Sequence, residues 1–193
     1  LFAFVLIPLN SLRALEWVEK NGHRLAKLTV EPSERDGFKL LEHRVTRVEF
    51  ANRLTRQLIA KNRNLANGSG VAIGDVDGDH LPDIYFCGLE VNNKLYRDRG
   101  GWRFEDITAE SGVACPRQYC TGALLADVDG DNDNDLLVTG LGKGTRLFLN
   151  DGFGKFTEKN DSGLFPKLGA TSMAMADIDS EGDPERKGPK QRK

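Results

Sequence analysis

An acidic signature recurs along this chain at a near-constant interval. Gly74-Asp75-Val76-Asp77-Gly78-Asp79 returns as Ala126-Asp127-Val128-Asp129-Gly130-Asp131, 52 residues on, and as Ala176-Asp177-Ile178-Asp179-Ser180-Glu181 after 50 more. Laying 71–108 over 123–160 gives 11 identities in 38 positions, with Leu95-Tyr96 on Leu147-Phe148, Gly100 on Gly152 and Phe104 on Phe156. Self-similarity at a period of ~20–50 residues marks a chain built from like supersecondary units, each burying its apolar face against the next.

Inside one period the pattern is short apolar runs separated by turn residues. In the first unit the runs are Gly70–Gly74, Ile84–Gly88, Lys94–Arg97 and Trp102–Ile107; in the second, Gly122–Ala126, Leu136–Gly140, Arg146–Leu149 and Lys155–Thr157. Such runs are too short for helices and suit strands. Asp98-Arg99-Gly100-Gly101 and Asn150-Asp151-Gly152-Phe153-Gly154 between them read as hairpin turns. Gly, at 21 of 193 residues, exceeds the usual ~7% without a collagen period, as many tight turns require. Four strands per period is the pattern of a propeller blade, a small sheet stacked face to face on its neighbours. The chain is therefore expected to be all-β: a partial β-propeller of about three four-stranded blades with Asp-rich loops.

Outside the repeats the reading is less regular. Leu1–Leu9 is apolar and uncharged, too short to span a bilayer, and fits the apolar core of a secretory signal peptide. Against it stand the absence of a basic leader and of a small-x-small cleavage site; the alternative is a buried strand. Residues 1–14 are read as a signal-peptide remnant, 15–35 as an irregular lead-in, 36–185 as the repeats and 186–193 as a basic disordered tail. A short helix is expected within 11–27, and strands over Phe38–Leu41 and Arg47–Ala51. With 27 basic against 29 acidic residues and net charge −2, the chain lacks the basic excess of a nucleic-acid binder.

The spacing Asp75-x-Asp77-x-Asp79-x-Leu81-x-Asp83 carries the chemistry, and Asp127-x-Asp129-x-Asp131-x-Asp133-x-Asp135 repeats it. Carboxylates packed this closely repel one another, so closing the loop is costly unless a cation sits among them. Ca²⁺, which takes ~6–8 oxygens in a flexible shell, suits the donor set. Position seven, Leu81 or Asp133, would add its backbone carbonyl. The loop is not an EF-hand: His80 and Asn132 stand where that motif wants Gly, and Phe86 and Val138 where it wants Glu. A third set, Asp177, Asp179, Glu181, Asp183 and Glu185, has longer acids that crowd a shell sized for Asp.

Gly-Asp-Val-Asp-Gly-Asp followed by an acid and an apolar strand resembles the FG-GAP/VCBS repeat of integrin-α-like β-propellers. Asn67-Gly68-Ser69-Gly70-Val71-Ala72, Leu95-Tyr96-Arg97, Trp102-Arg103-Phe104-Glu105-Asp106-Ile107-Thr108 and Thr145-Arg146-Leu147-Phe148-Leu149-Asn150-Asp151-Gly152 are similar, more narrowly, to the bacterial cartilage-acidic-protein-like group, which often carries an ASPIC/UnbV domain. The resemblance implies a calcium-bearing propeller that is secreted, periplasmic or on the cell surface. Its implied calcium ligands are Asp75, Asp77, Asp79 and Asp83, then Asp127, Asp129, Asp131 and Asp135. About three units cannot close a ring of ~4–8 blades, so the sequence is read as the N-terminal part of a longer protein. The expected partners are an extracellular protein or glycan and the remainder of its own propeller, with no nucleic acid and no membrane span.

Catalytic motifs fail on spacing. Gly68-Ser69-Gly70 is no nucleophile elbow, and Gly140-Leu141-Gly142-Lys143-Gly144-Thr145 lacks both the Lys-Ser/Thr pair and the following helix of a phosphate loop. The chain is expected to be non-catalytic; the alternative is the propeller portion of a larger secreted enzyme. Cys87, Cys115 and Cys120 offer no spaced fourth zinc ligand. In an exported protein Cys87–Cys115 is the preferred disulfide, with Cys115–Cys120 or three thiols as alternatives.

Overall fold

The computed structural model describes residues 17–20, 23–26, 40–141, 144–164 and 169–175. The signal-peptide remnant, the basic tail and the whole third acidic set from Asp177 to Glu185 lie outside them. The chain divides into two units, Leu1–Leu40 and Leu41–Lys193. In the first, β1 (Trp17–Lys20) and β2 (His23–Ala26) pair antiparallel, Trp17 opposite Ala26 and Lys20 opposite His23. The helix expected within 11–27 is therefore a hairpin wherever it is described. The Asn21-Gly22 dipeptide between the strands is a strong hairpin signal.

The second unit opens on helices that the sequence reading missed. These are α1 (His43–Thr46) and α2 (Arg56–Lys61), followed by a 3-10 turn over Arg63–Asn67. The Thr55 hydroxyl caps α2, accepting the Leu58 N–H at 3.4 Å. Neither strand expected over Phe38–Leu41 and Arg47–Ala51 forms in the described residues. The alternation around Val48 and Phe50 is nonetheless used: the Phe50 ring stacks on Phe86 at 5.0 Å, and the Glu49 N–H donates to the Tyr96 hydroxyl at 3.1 Å. The segment docks through the Phe50 ring and the Glu49 N–H instead of joining the ladder.

Two four-stranded antiparallel sheets follow, each in sequence order. The first holds β3 (Val71–Gly74), β4 (Asp83–Phe86), β5 (Lys94–Asp98) and β6 (Phe104–Asp106). After α3 (Thr108–Ser111), the second holds β7 (Tyr119–Ala126), β8 (Asp135–Leu141), β9 (Gly144–Asn150) and β10 (Phe156–Glu158). Every strand expected inside the two repeats is present, and Gly140 pairs with Gly144 across a β8–β9 hairpin. Of the third repeat only 169–175 is described, and it contains no strand. No helix among the described residues is long and apolar enough to cross a membrane.

The sheets pack through their first strands, β3 against β7. A Cβ on Gly70 would lie 2.7 Å from the Gly122 Cα, so the backbones meet where the repeat places one glycine opposite its own counterpart. Tyr85, Leu95, Ile107, Leu136, Val138 and Phe148 are sealed in the core between the sheets. Tyr85 donates its hydroxyl proton to the Val113 carbonyl at 2.8 Å and accepts from Asn93 Nδ2 at 2.5 Å, satisfying a polar atom whose burial otherwise costs about 1–3 kcal/mol.

Candidate metal centres

Each acidic loop bridges the first two strands of its sheet, and the two loops are built alike. In the first, Asp75 turns its carboxylate back into its own turn. Oδ1 accepts the N–H groups of Asp77 (3.2 Å) and Gly78 (2.8 Å), and Oδ2 accepts that of His80 (2.8 Å). In the second, Asp127 accepts Gly130 N–H at 2.7 Å and Asn132 N–H at 3.0 Å. The sixth positions, His80 and Asn132, both hold positive φ, 67° and 71°. This is where an EF-hand would use glycine; Asn tolerates the left-handed region well.

The last acid of each set closes the loop from the strand side. Asp83 Oδ2 accepts the Val76 N–H at 2.9 Å and its Oδ1 the Asp98 N–H at 2.8 Å. Asp135 repeats this with Val128 at 3.0 Å and Asn150 at 2.9 Å. Both carboxylates are fully buried. Burial pushes the Asp83 carboxyl up to about 6 against the two N–H groups that oppose the rise, and Asp135 is raised for the same reason. For Asp75 burial works upward too, but four backbone N–H groups together hold it below the usual carboxylate range.

The fold brings together Asp75, Asp77 and Asp83, and separately Asp127, Asp129 and Asp135, each set offering carboxylate oxygens within 4.8 Å of one another. Two oxygens each about 2.4 Å from one calcium ion lie at most about 4.8 Å apart, so each triad fits that ion's shell. Asp77 Oδ1 is buried without a hydrogen-bond partner, as an oxygen reserved for a cation would be. Asp79 and Asp131 stay outside these triads and are exposed. Asp79 accepts the Leu81 N–H at 2.8 Å and Asp131 the Asp133 N–H at 3.2 Å. Asp133 adds a carboxyl raised to about 6 by burial first and by its hydrogen bond to Asp131 next, with Oδ1 buried and unpartnered.

Two features of the site escaped the sequence reading. Arg97, on β5, sets its Nε 2.8 Å from Asp77 Oδ2 and donates from Nη2 to the Phe153 carbonyl at 3.0 Å. Two asparagines of the second repeat also grip the first loop: Asn134 Nδ2 donates to the Asp75 carbonyl at 2.8 Å and Asn150 Nδ2 to the Val76 carbonyl at 2.9 Å. Nothing in a local spacing pattern announces contacts made across 56 to 74 residues.

The three cysteines are buried and none of them is bridged in this structure. Asn93 Nδ2 lies 3.2 Å from Cys120 Sγ, and the Tyr85 hydroxyl 3.7 Å from Cys115 Sγ. The neighbouring Cys120 thiol, with the Arg146 charge, brings the Cys115 thiol down to about 7 although burial opposes it, while burial pushes Cys87 up to about 12.

Comparison with known proteins agrees with this geometry. The chain is 32% identical to human cartilage acidic protein 1 over 82 residues, 42% of this chain and 12% of that protein. It is 28% identical to the Xenopus tropicalis protein of the same name over 109 residues, 52% of this chain and 17% of that one. The chain thus spans well under a fifth of the length of these relatives. A family model for the FG-GAP-like repeat matches residues 75–138 and 127–185, each match opening on the first aspartate of an acidic loop. These matches run together over more than half of the sequence, and the chain belongs to the FG-GAP-like repeat family.

Proposed function

We propose that this chain is a calcium-stabilised, non-catalytic part of an extracellular β-propeller, whose two sheets are consecutive blades completed into a ring by further repeats. The observation that carries the reading is the twofold recurrence of one loop geometry. A triad of carboxylate oxygens, a first aspartate folded into its own turn and a buried closing aspartate recur in register 52 residues apart. Merely solvated acids need not converge, and buried ones are costly without a counter-charge.

In this role calcium performs no reaction. It ties the turn between the first two strands of a blade to the strand that follows, and so rigidifies one end of the blade. The residues that would hold it are Asp75, Asp77 and Asp83 in one loop and Asp127, Asp129 and Asp135 in the other, with the Leu81 and Asp133 carbonyls and water completing the shell. The third set, Asp177, Asp179, Glu181, Asp183 and Glu185, is proposed as a further site from its sequence alone. The secreted or cell-surface setting suits calcium at millimolar concentration, and an extracellular protein or glycan is the proposed partner.

Thermal melts with calcium and with chelator test the metal reading. A ligand present at 100 times its Kd stabilises by about 2.7 kcal/mol per site. Two sites therefore raise the midpoint by roughly 10–20 °C in a domain of this size. Asp77→Ala and Asp129→Ala are each expected to remove part of the shift, and the double variant all of it. A midpoint that stays put across millimolar calcium overturns the proposal.

A further inference from the structure

The two repeats part company at the outer edge of the first sheet. A solvent-open cavity of about 450 Å³ lies there, lined by Arg47, Arg99, Arg103, Phe104, Glu105 and Asp106. That volume falls in the range of small-molecule sites, ~300–1,000 Å³. Both acids are already matched: Arg99 Nε donates to Glu105 at 2.7 Å, and Lys94 Nζ to Asp106 at 2.6 Å. Arg47 and Arg103 have no carboxylate within ion-pair distance among the described residues, so the cavity keeps two uncompensated guanidiniums.

Beside Arg103 stands Trp102, 63% exposed and held at φ 63°. Its counterpart in the second repeat is Gly154, at φ 80°. One repeat thus meets a left-handed position with glycine and the other with a large exposed aromatic, which is strained there and gains nothing from burial. Arg47 also has positive φ, 60°. Of the non-glycine residues at positive φ, Arg47 lines the pocket and Trp102 is the chain neighbour of Arg103, which also lines it; such strain clusters at ligand sites.

We propose that this pocket binds an acidic saccharide, with Arg47 and Arg103 holding its carboxylate or sulfate groups and Trp102 offering a flat face to a sugar ring. Guanidiniums recognise oxyanions through paired N–H donors, and an exposed indole supplies apolar contact with little side-chain entropy to lose. The inference rests on the extracellular binding role proposed above, since it names the partner class and the surface that role would use.

Calorimetric titration of the full chain in millimolar calcium tests it, with hexameric oligogalacturonate, a sulfated chondroitin hexasaccharide, neutral maltohexaose and polyglutamate as probes. At least one acidic hexasaccharide is expected to bind, and the two acidic probes separate carboxylate from sulfate recognition. Arg47→Ala and Arg103→Ala should each weaken binding at least tenfold. Trp102→Gly should do the same without lowering the melting midpoint, because it relieves the strained position; this separates lost recognition from lost folding. Binding of neither acidic sugar, equal binding of maltohexaose or polyglutamate, or indifference to all three substitutions overturns the proposal. Calcium-dependent melting measured alongside keeps the readings apart, since a calcium-independent midpoint overturns only the metal reading.

Discussion

Replacing Asn150 by Ala tests how far the two repeats depend on each other. The side chain is buried and makes four contacts. Nδ2 donates to the Val76 carbonyl at 2.9 Å and to the Asn134 carbonyl at 3.1 Å, while Oδ1 accepts the N–H groups of Asp151 at 3.0 Å and Gly154 at 3.2 Å. The Asp151 N–H also reaches the Lys155 carbonyl at 3.1 Å, so losing that contact costs little. Three bonds remain, each worth about 1 kcal/mol net, so the variant should lose roughly 3 kcal/mol. In a domain of this size that lowers the midpoint by roughly 6–12 °C.

Urea denaturation at constant calcium measures the loss, read from the transition midpoint with an unchanged slope. Asp98, which occupies the same place in the first repeat, uses its side chain to accept the Gly100 N–H at 2.8 Å. Asp98→Ala should therefore cost clearly less, and the difference measures what Asn150 contributes between repeats. Asn150→Asp should be at least as damaging as Asn150→Ala, because it aims a carboxylate at two carbonyls beside Asp135. A loss below about 1 kcal/mol for Asn150→Ala refutes the clamp.

Two further outcomes follow from the packing. Gly70→Ala would put a Cβ 2.7 Å from the Gly122 Cα, whereas a Cβ on Gly122 first meets the Thr139 Cγ2 at 3.1 Å. Overpacking against backbone should cost about 1–3 kcal/mol, and Gly122→Ala distinctly less, as paired denaturation curves would show; equal costs would refute the close approach. Peptide mapping without reductant after oxidative refolding tests the Cys87–Cys115 pairing proposed from the sequence; a bridge between any other pair, or three thiols that stay reduced, would refute it.

What could be read in advance was whatever repeats within a few residues. The strands were legible because turn residues bound each short apolar run, and the acids because alternation in register is hard to produce by chance. The stretch from 43 to 67 failed for the opposite reason. Helices of four to six residues, such as α1 and α2, are too short to show a 3.6-residue period, and the Val48/Phe50 alternation marked a docked segment rather than a strand. The hairpin of β1 and β2 is legible through Asn21-Gly22, whereas the spacing of Leu12, Leu15 and Val18 suggests a helix. Arg97, Asn134 and Asn150 were beyond local reading, since their contacts exist only once the repeats have stacked.

Arg97 also makes the two loops unequal. Its guanidinium lies beside Asp77, with both side chains largely buried, while the aligned residue of the second repeat is Leu149. The first triad thus carries part of its counter-charge within the chain, and the second has none from that position. Removing calcium should then weaken the second loop more than the first, since three converging acids without a cation repel one another. Arg97→Leu makes the first loop like the second. The variant should lose about 1–2 kcal/mol in chelator, from the ion pair and from the 3.0 Å bond to the Phe153 carbonyl. It should recover part of that in calcium, because the ion supplies the charge that the arginine had provided. The calcium-induced rise in midpoint should accordingly be larger in the variant than in the parent chain. An equal rise would show that Arg97 and the ion do not address the same carboxylate, and the two loops would then have to be treated as equivalent sites.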